Sequence, residues 1–197
     1  MSSFRVAQVA DRPAVTATIS SSFDRDPVWS WVFADDDLRP GQYAVWWDAF
    51  VRSGLLYPWV RVTDRCEAVA LWVPPSTHEL TPEAEEDLDR QLDALPGDDG
   101  ARVRTMLSRF DAARPEEPHH YLSVFGTHTD FRGRGLGMAL LADNLAEIDA
   151  LHSPAYLEST NPVNLDRYAR VGFEHLGEFS AGEGGPVVTT MWRSARP

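Results

Sequence analysis

The sequence has no lysine. Its 18 basic residues are all arginine, against 30 aspartates and glutamates, for a formal net charge of −12. A surface this acidic disfavours DNA or RNA, whose recognition needs a basic patch. It favours cationic ligands, amines among them. The missing lysine also removes one kind of phosphate site, because a Walker A loop requires Lys-Ser or Lys-Thr after its last glycine. Cysteine is scarce too. With Cys66 alone, no internal disulfide can form and no thiolate metal cluster is available. No apolar run approaches the ~18 residues of a membrane span. The start, Met1-Ser2-Ser3-Phe4-Arg5, lacks the apolar core of a signal peptide. These absences predict a cytoplasmic protein with no metal and no membrane or nucleic acid partner.

What is present is ordinary for a globular chain. At 197 residues and 43% hydrophobic content, there is enough chain for one domain with a sizeable core. Residues 1–197 are read as a single domain. Residues 4–9 alternate as a strand, and Asp11 offers an N-cap to a helix through Phe23. Asp24, Asp26, Trp29, Trp31, Val32 and Phe33 follow in a short acidic and aromatic stretch. Its aromatics suit either a helix buried in the core or the wall of a pocket. Tyr43, Trp46, Trp47 and Phe50 stand at helical spacing, and Gly54 ends that helix. Residues 57–63 and 66–73 read as paired strands. Thr81-Pro82-Glu83 starts a helix by N-cap, proline and acid. A second helix follows the break at residues 96–100, so residues 77–115 form a helical hairpin. A strand over 120–127, a helix over 138–150, a strand over 154–159 and a short helix over 164–171 come next. Two strands, 173–179 and 187–193, close the chain as an antiparallel pair. The order predicts an α/β (α+β mixed) fold, a mixed sheet with helices on its faces.

The most informative stretch is Arg132-Gly133-Arg134-Gly135-Leu136-Gly137, between the strand over 120–127 and its helix. A Gly-rich turn at a helix start gathers free backbone N–H groups and the positive end of the dipole, which suits a phosphate-bearing ligand. The glycines alternate, and a Rossmann fingerprint needs them at its first, third and sixth positions. That leaves Arg132-x-x-Gly135-x-Gly137, which matches the (Arg/Gln)-x-x-Gly-x-(Gly/Ala) motif of the GNAT superfamily of N-acetyltransferases. Asn161-x-x-Asn164-x-x-x-Tyr168-x-x-x-Gly172-Phe173 resembles the second GNAT motif. Residues 70–75, 114–118, 156–160, 185–186 and 191–193 are similar to the subgroup containing puromycin N-acetyltransferase. One departure is Thr127-His128-Thr129, where the family often has Val-x-Pro.

The resemblance implies the GNAT fold: a central, mostly antiparallel mixed sheet flanked by helices, with the helical hairpin inserted between the third and fourth strands. It implies acetyl-CoA as cosubstrate and a primary amine of a small molecule as acceptor, a xenobiotic or antibiotic included. Attack is direct, in a ternary complex. A protein or peptide acetyltransferase and a non-catalytic acyl-CoA sensor are the alternatives, and the protein is a monomer or a homodimer. Phe125, Gly126 and Thr127 would run along the pantetheine like an added strand. Arg132, Gly133, Arg134, Gly135, Leu136, Gly137 and Met138 would hold the pyrophosphate. Asn164 would contact CoA, and Asn161 would either do so or cap the short helix.

Tyr168 holds the family's general-acid position for the leaving thiolate, unless it only braces the short helix. A phenol of pKa ~10 suits that task. Glu158, inside an otherwise apolar strand, is the candidate base, whose pKa burial would raise. It also reads as a structural carboxylate. His119 and His120 are other base candidates, of which alternation lets one at most face the site. Asp26, Trp29, Trp31, Tyr43, Trp72 and His120 are the candidates for the acceptor pocket, by charge and by aromatic stacking.

Overall fold

The computed structural model describes residues 4–196. Residues 1–3 and 197, on which the reading of the N-terminus partly rests, lie outside them. Seven strands form one sheet, ordered β1-β2-β3-β4-β5-β7-β6. They are β1 (Phe4–Val6), β2 (Val60–Thr63), β3 (Ala68–Val73), β4 (His120–Thr127), β5 (Ala155–Ser159), β6 (Glu174–Ser180) and β7 (Val187–Arg193). All neighbours run antiparallel except β4 and β5. The helices are α1 (Arg12–Phe23), α2 (Pro27–Val32), α3 (Arg39–Gly54), α4 (Pro82–Asp93), α5 (Asp99–Ala113), α6 (Leu136–Ala150) and α7 (Leu165–Arg170). The hairpin α4–α5 stands between the third and fourth strands. No described helix is long and apolar enough to cross a membrane.

The sheet has a core on each face. β3, Ala-Val-Ala-Leu-Trp-Val, is buried throughout because it is central and covered on both sides. Its Val69, Leu71 and Val73 join α1, α2, α3 and the hairpin. Its Ala68, Ala70 and Trp72 lie against Leu140, Leu141, Leu145 and Ile148 of α6. The stripe of α3 is the centre of the first core: Tyr43, Trp46, Trp47 and Phe50 are nearly inaccessible, and the first three contact Trp29 or Phe33.

Local chemistry sets most boundaries as the sequence predicts. The Thr81 side chain accepts from the Ala84 N–H at 3.2 Å and so caps α4. Gly172, at φ 96°, takes the left-handed turn that follows α7. Two details differ. Asp11 does not cap α1: its carboxylate is held by Arg5 at 2.6 and 2.9 Å and accepts from the Gln8 N–H. Two bonds from a guanidinium outcompete the single-charge contact of a cap. The closing strands are antiparallel as expected, but β7 lies inside, between β5 and β6. The connection from β5 through α7 carries the chain out to β6 at the edge first.

Candidate active site

The decisive feature is a failure of strand pairing. β4 and β5 pair only at His120 with Ala155 and Tyr121 with Tyr156. Beyond that point they part. β4 stays bonded to β3 on its other side as far as Thr127. Its free edge from Leu122 to Thr127 therefore has backbone N–H and C=O groups with no strand to satisfy them. A bulge accompanies the split. Leu71 pairs with Val124 and Trp72 with Leu122, so Ser123 is an extra residue in β4, and such insertions bend a strand and increase its twist. The gap opens into a cavity of about 730 Å³.

At one end of the cavity lies the Gly-rich turn. Gly133 and Gly135 both have φ 76°, and a Cβ on either would meet nothing within 4 Å. They are needed for backbone conformation and leave the space above them open. Gly135 is the N-cap of α6 and has no side chain to bond the first-turn amides, which stay available to a ligand. Gly137 has a different reason: its Cβ would stand 2.5 Å from Thr127 Oγ1, so α6 packs directly on β4 there. The turn is anchored to the end of α1. Arg132 donates to the Ser22 carbonyl at 2.6 Å, and Ser21 and Thr129 share a hydroxyl hydrogen bond at 2.7 Å. Arg134 stacks on the Phe131 ring at 5.1 Å and does not line the cavity.

Midway sit Tyr168 and Glu158. Tyr168 packs between Phe125 and Phe173 at centroid distances of 6.3 and 6.2 Å. Its hydroxyl makes no hydrogen bond among the described residues, and burial raises its pKa, so it stays protonated. Glu158 follows Tyr156 on the face of β5 that carries α1–α5. Its Oε1 is buried with no hydrogen-bond partner. Burial pushes its pKa up to about 7, opposed by the Arg114 guanidinium and by the Tyr121 and Tyr156 phenols. A carboxyl poised there suits proton transfer near neutral pH.

The far end is formed by the α4–α5 hairpin and α1–α3. Trp29, Trp47, Phe50, Met106 and Phe110 supply apolar walls. Glu79, Glu85 and Asp111 add carboxylates to that of Glu158, against Arg25 and Arg114. The excess is negative, which suits a cation with an apolar body.

The structure separates the sequence candidates. Phe125, Gly126, Thr127, Arg132, Gly133, Gly135, Leu136, Gly137, Met138, Asn161, Asn164, Tyr168 and Glu158 all line this one cavity. Asn161 also caps the turn at Pro162–Asn164, accepting from the Val163 N–H at 3.2 Å. Asn164 accepts from Arg167 at 2.7 Å. Of the acceptor candidates, only Asp26 and Trp29 reach the cavity wall. Asp26 is occupied as the N-cap of α2: it accepts from the Val28 and Trp29 N–H groups and from the Thr160 hydroxyl at 2.7 Å. Burial raises its pKa.

The other four acceptor candidates are corrected by their surroundings. Tyr43 is in the aromatic core, its hydroxyl bonded to the Phe23 carbonyl at 3.3 Å. Trp31 packs on Gly182 and Gly185 and under Arg102. Trp72 is on the opposite face of the sheet, donating to Asn144 at 3.0 Å. His120 lies against the Trp59 ring at 4.7 Å and bonds Ser153. Burial drives its pKa down to about 4. His119 is enclosed by Tyr156 and Trp192. Sequence reasoning missed Glu79, Arg114 and Tyr121. Glu79 and Arg114 stood in the outlined stretch 77–115 and Tyr121 in the strand over 120–127, but nothing local marked their side chains for the site.

No family model matches the chain. Solved structures do resemble it along nearly its whole length. A Corynebacterium glutamicum protein described as histone acetyltransferase HPA2 and related acetyltransferase aligns with a TM-score of 0.66 at 23% identity, covering 100% of this chain and 98% of the other. Polyamine N-acetyltransferase of Drosophila melanogaster, which forms N-acetylagmatine, gives 0.68 at 13% identity, covering 98% and 100%. Arylalkylamine N-acetyltransferase 2 from Aedes aegypti gives 0.66 at 12% identity, covering 99% of each chain. At these identities the likeness establishes the fold, and it is that of GNAT N-acetyltransferases.

Proposed function

We propose that the chain is one domain that transfers an acetyl group from acetyl-CoA to a primary amine of a small, cationic molecule. One observation carries the reading: the gap between β4 and β5 joins an uncapped helix N-terminus, a free strand edge, a buried carboxyl and an unbonded phenol in one cavity. The residues present suit CoA. The open space over Gly133 and Gly135 admits a pyrophosphate to the amides of the turn. The free edge at Phe125–Thr127 offers groups that an amide-bearing arm can pair as a strand would. Asn161, Asn164 and Arg167 stand on the facing wall.

Bound acetyl-CoA supplies a thioester: an N–C bond forms, the C–S bond breaks, and R–NH3⁺ becomes the acetamide with free thiol and one proton. Glu158 takes a proton from the ammonium so that the nitrogen lone pair is free. Tyr168 gives a proton to the departing sulfur and regains one from solvent. Trp29, Trp47, Phe50 and Phe110 exclude water and receive the apolar part of the amine. The relatives named for polyamines and arylalkylamines support an amine acceptor. The segments similar to the puromycin-type subgroup extend the proposal to xenobiotic amines, antibiotics included. We read the location as cytoplasmic from the single cysteine.

The test is release of free thiol from acetyl-CoA in the presence of an amine panel, with mass detection of the acetylated product. Turnover of a cationic aromatic or aliphatic amine is the expected result. Tight CoA binding with no turnover of any amine or peptide would replace this reading with a sensor.

A further inference from the structure

We propose that Glu79 is a positioning residue for Glu158: a second carboxylate that, together with Arg114, sets how firmly Glu158 holds its proton. The catalytic consequence rests on the acetyltransferase reading; the titration itself does not.

Three segments far apart in sequence meet here. Glu79 lies in the loop between β3 and α4, and its two oxygens are both engaged. Oε1 accepts from the Ser123 hydroxyl, and Oε2 faces the Arg114 guanidinium at 3.3 Å. Ser123 is the extra residue of the β4 bulge, so the irregularity that accompanies the opening of the sheet also anchors this carboxylate. Arg114 follows α5, and its guanidinium lies 4.2 Å over the Tyr121 ring. The groups that act on Glu158 come from four segments: Arg114 from the hairpin, Glu79 from its loop, Tyr121 from β4 and Tyr156 from its own strand; the first three line the same cavity. Arg114 Nε and Glu158 Oε1 are both buried and unpartnered.

Charge counting gives the function. Asp111 reaches Arg114 only from the exposed side, at 4.0 Å; leaving it aside, one guanidinium stands with two carboxylates, Glu79 and Glu158. The cluster carries one negative charge when Glu158 is ionised and none when it is protonated. At this buried carboxyl, the like charge of Glu79 favours the protonated form of Glu158, and Arg114 opposes it. Burial makes the largest contribution; on top of it the two charges act against each other, and Glu158 is left near the point where it can both accept and release a proton. Removing either partner moves it off that point, in opposite directions.

The experiment uses the full chain labelled with 13C at the glutamate carboxyl carbon. The Glu158 resonance is identified by its loss in Glu158→Gln. Its titration is followed in wild type, Glu79→Gln and Arg114→Gln, and the acid limb of kcat/KM is measured in parallel. Glu79→Gln is expected to move the midpoint to lower pH, by enough to change the protonated-to-ionised ratio roughly threefold. Arg114→Gln moves it to higher pH, and Glu79→Asp, which keeps the charge, restores it toward wild type. A midpoint unmoved by Glu79→Gln, or moved the same way by both substitutions, overturns the proposal. Should Arg114→Gln not fold, the Gln and Asp variants at position 79 decide alone. Midpoints that shift as expected in a protein that acetylates no amine uphold this inference and remove only the acetyltransferase reading.

Discussion

Glu158→Gln is the most discriminating substitution, because function and stability are expected to move in opposite directions. In the folded chain the carboxyl is pushed up to about 7 from an ordinary 4.5, chiefly by burial. Its folded pKa is therefore above its unfolded one. At pH 4 both states are protonated and the group costs nothing. Between about 4.5 and 7 the unfolded chain ionises while the folded chain does not, and folding loses free energy. Above the folded pKa the cost is constant. The gap from 4.5 to about 7, at ~1.36 kcal/mol per unit, amounts to about 3 kcal/mol at pH 8. Glutamine has the same shape and no charge, so it removes this cost. Chemical denaturation of wild type and Glu158→Gln across pH 4–8 measures the difference. The variant is expected to match wild type near pH 4 and to exceed it by up to about 3 kcal/mol at pH 8. For a chain of this size that is roughly 6–12 °C in Tm. Its acetyl transfer is expected to fall about a hundredfold or more. A variant less stable than wild type at pH 8, or a difference that does not depend on pH, would show that Glu158 is an ionised structural partner of Arg114 and refute the argument.

Three further expectations can be checked with simple variants. Tyr168→Phe removes a hydroxyl that bonds nothing among the described residues, so stability should stay within about 0.5 kcal/mol. Turnover should drop roughly a hundredfold while KM for acetyl-CoA holds; full activity would remove the acid role. Gly135→Ala forces a Cβ onto a residue at φ 76°, costing about 1 kcal/mol, and should raise KM for acetyl-CoA more than it lowers kcat; the reverse split would detach the turn from cofactor binding. Arg193→Met breaks a double hydrogen bond to Asp149 at 2.5 and 2.7 Å and leaves the Val171 carbonyl unpaired. It should cost about 2 kcal/mol at pH 7. Asp149 has a depressed folded pKa because of that arginine. The pair's contribution is present above the ordinary carboxylate range and fades as pH falls through the folded pKa, so the variant's deficit should shrink in acid. A deficit that grows in acid would contradict it.

The Gly-rich turn was legible because its signal is local. Positive φ at Gly133 and Gly135 is a property of the backbone at those positions, and only the sequence immediately around them is needed to suspect it. The same holds for the Thr81 cap and for the helical spacing of Tyr43, Trp46, Trp47 and Phe50. The acceptor pocket was not legible in this way. Trp29, Trp31, Tyr43 and Trp72 are all large aromatics within helices or strands, yet only Trp29 reaches the cavity. Which aromatic faces a void depends on what packs behind it, and that is set by segments tens of residues away.

Element order, the anion-ready turn, the acidic charge and the presence of one carboxyl in an apolar strand follow from the sequence itself, because each depends on neighbours within a few positions. The opening of the sheet does not. In an unbroken strand Tyr121, Ser123 and Phe125 would share a face. The extra residue at Ser123 breaks that parity. Tyr121 and Val124 join the core beside Glu158, and Leu122 and Phe125 join the other one. A period of two changes phase with a single inserted residue, and whether one is inserted depends on the register against β3. So does the place where β4 leaves β5, and with it the meeting of Glu79, Arg114 and Glu158. Those are pairings between distant segments, which only the folded chain brings together.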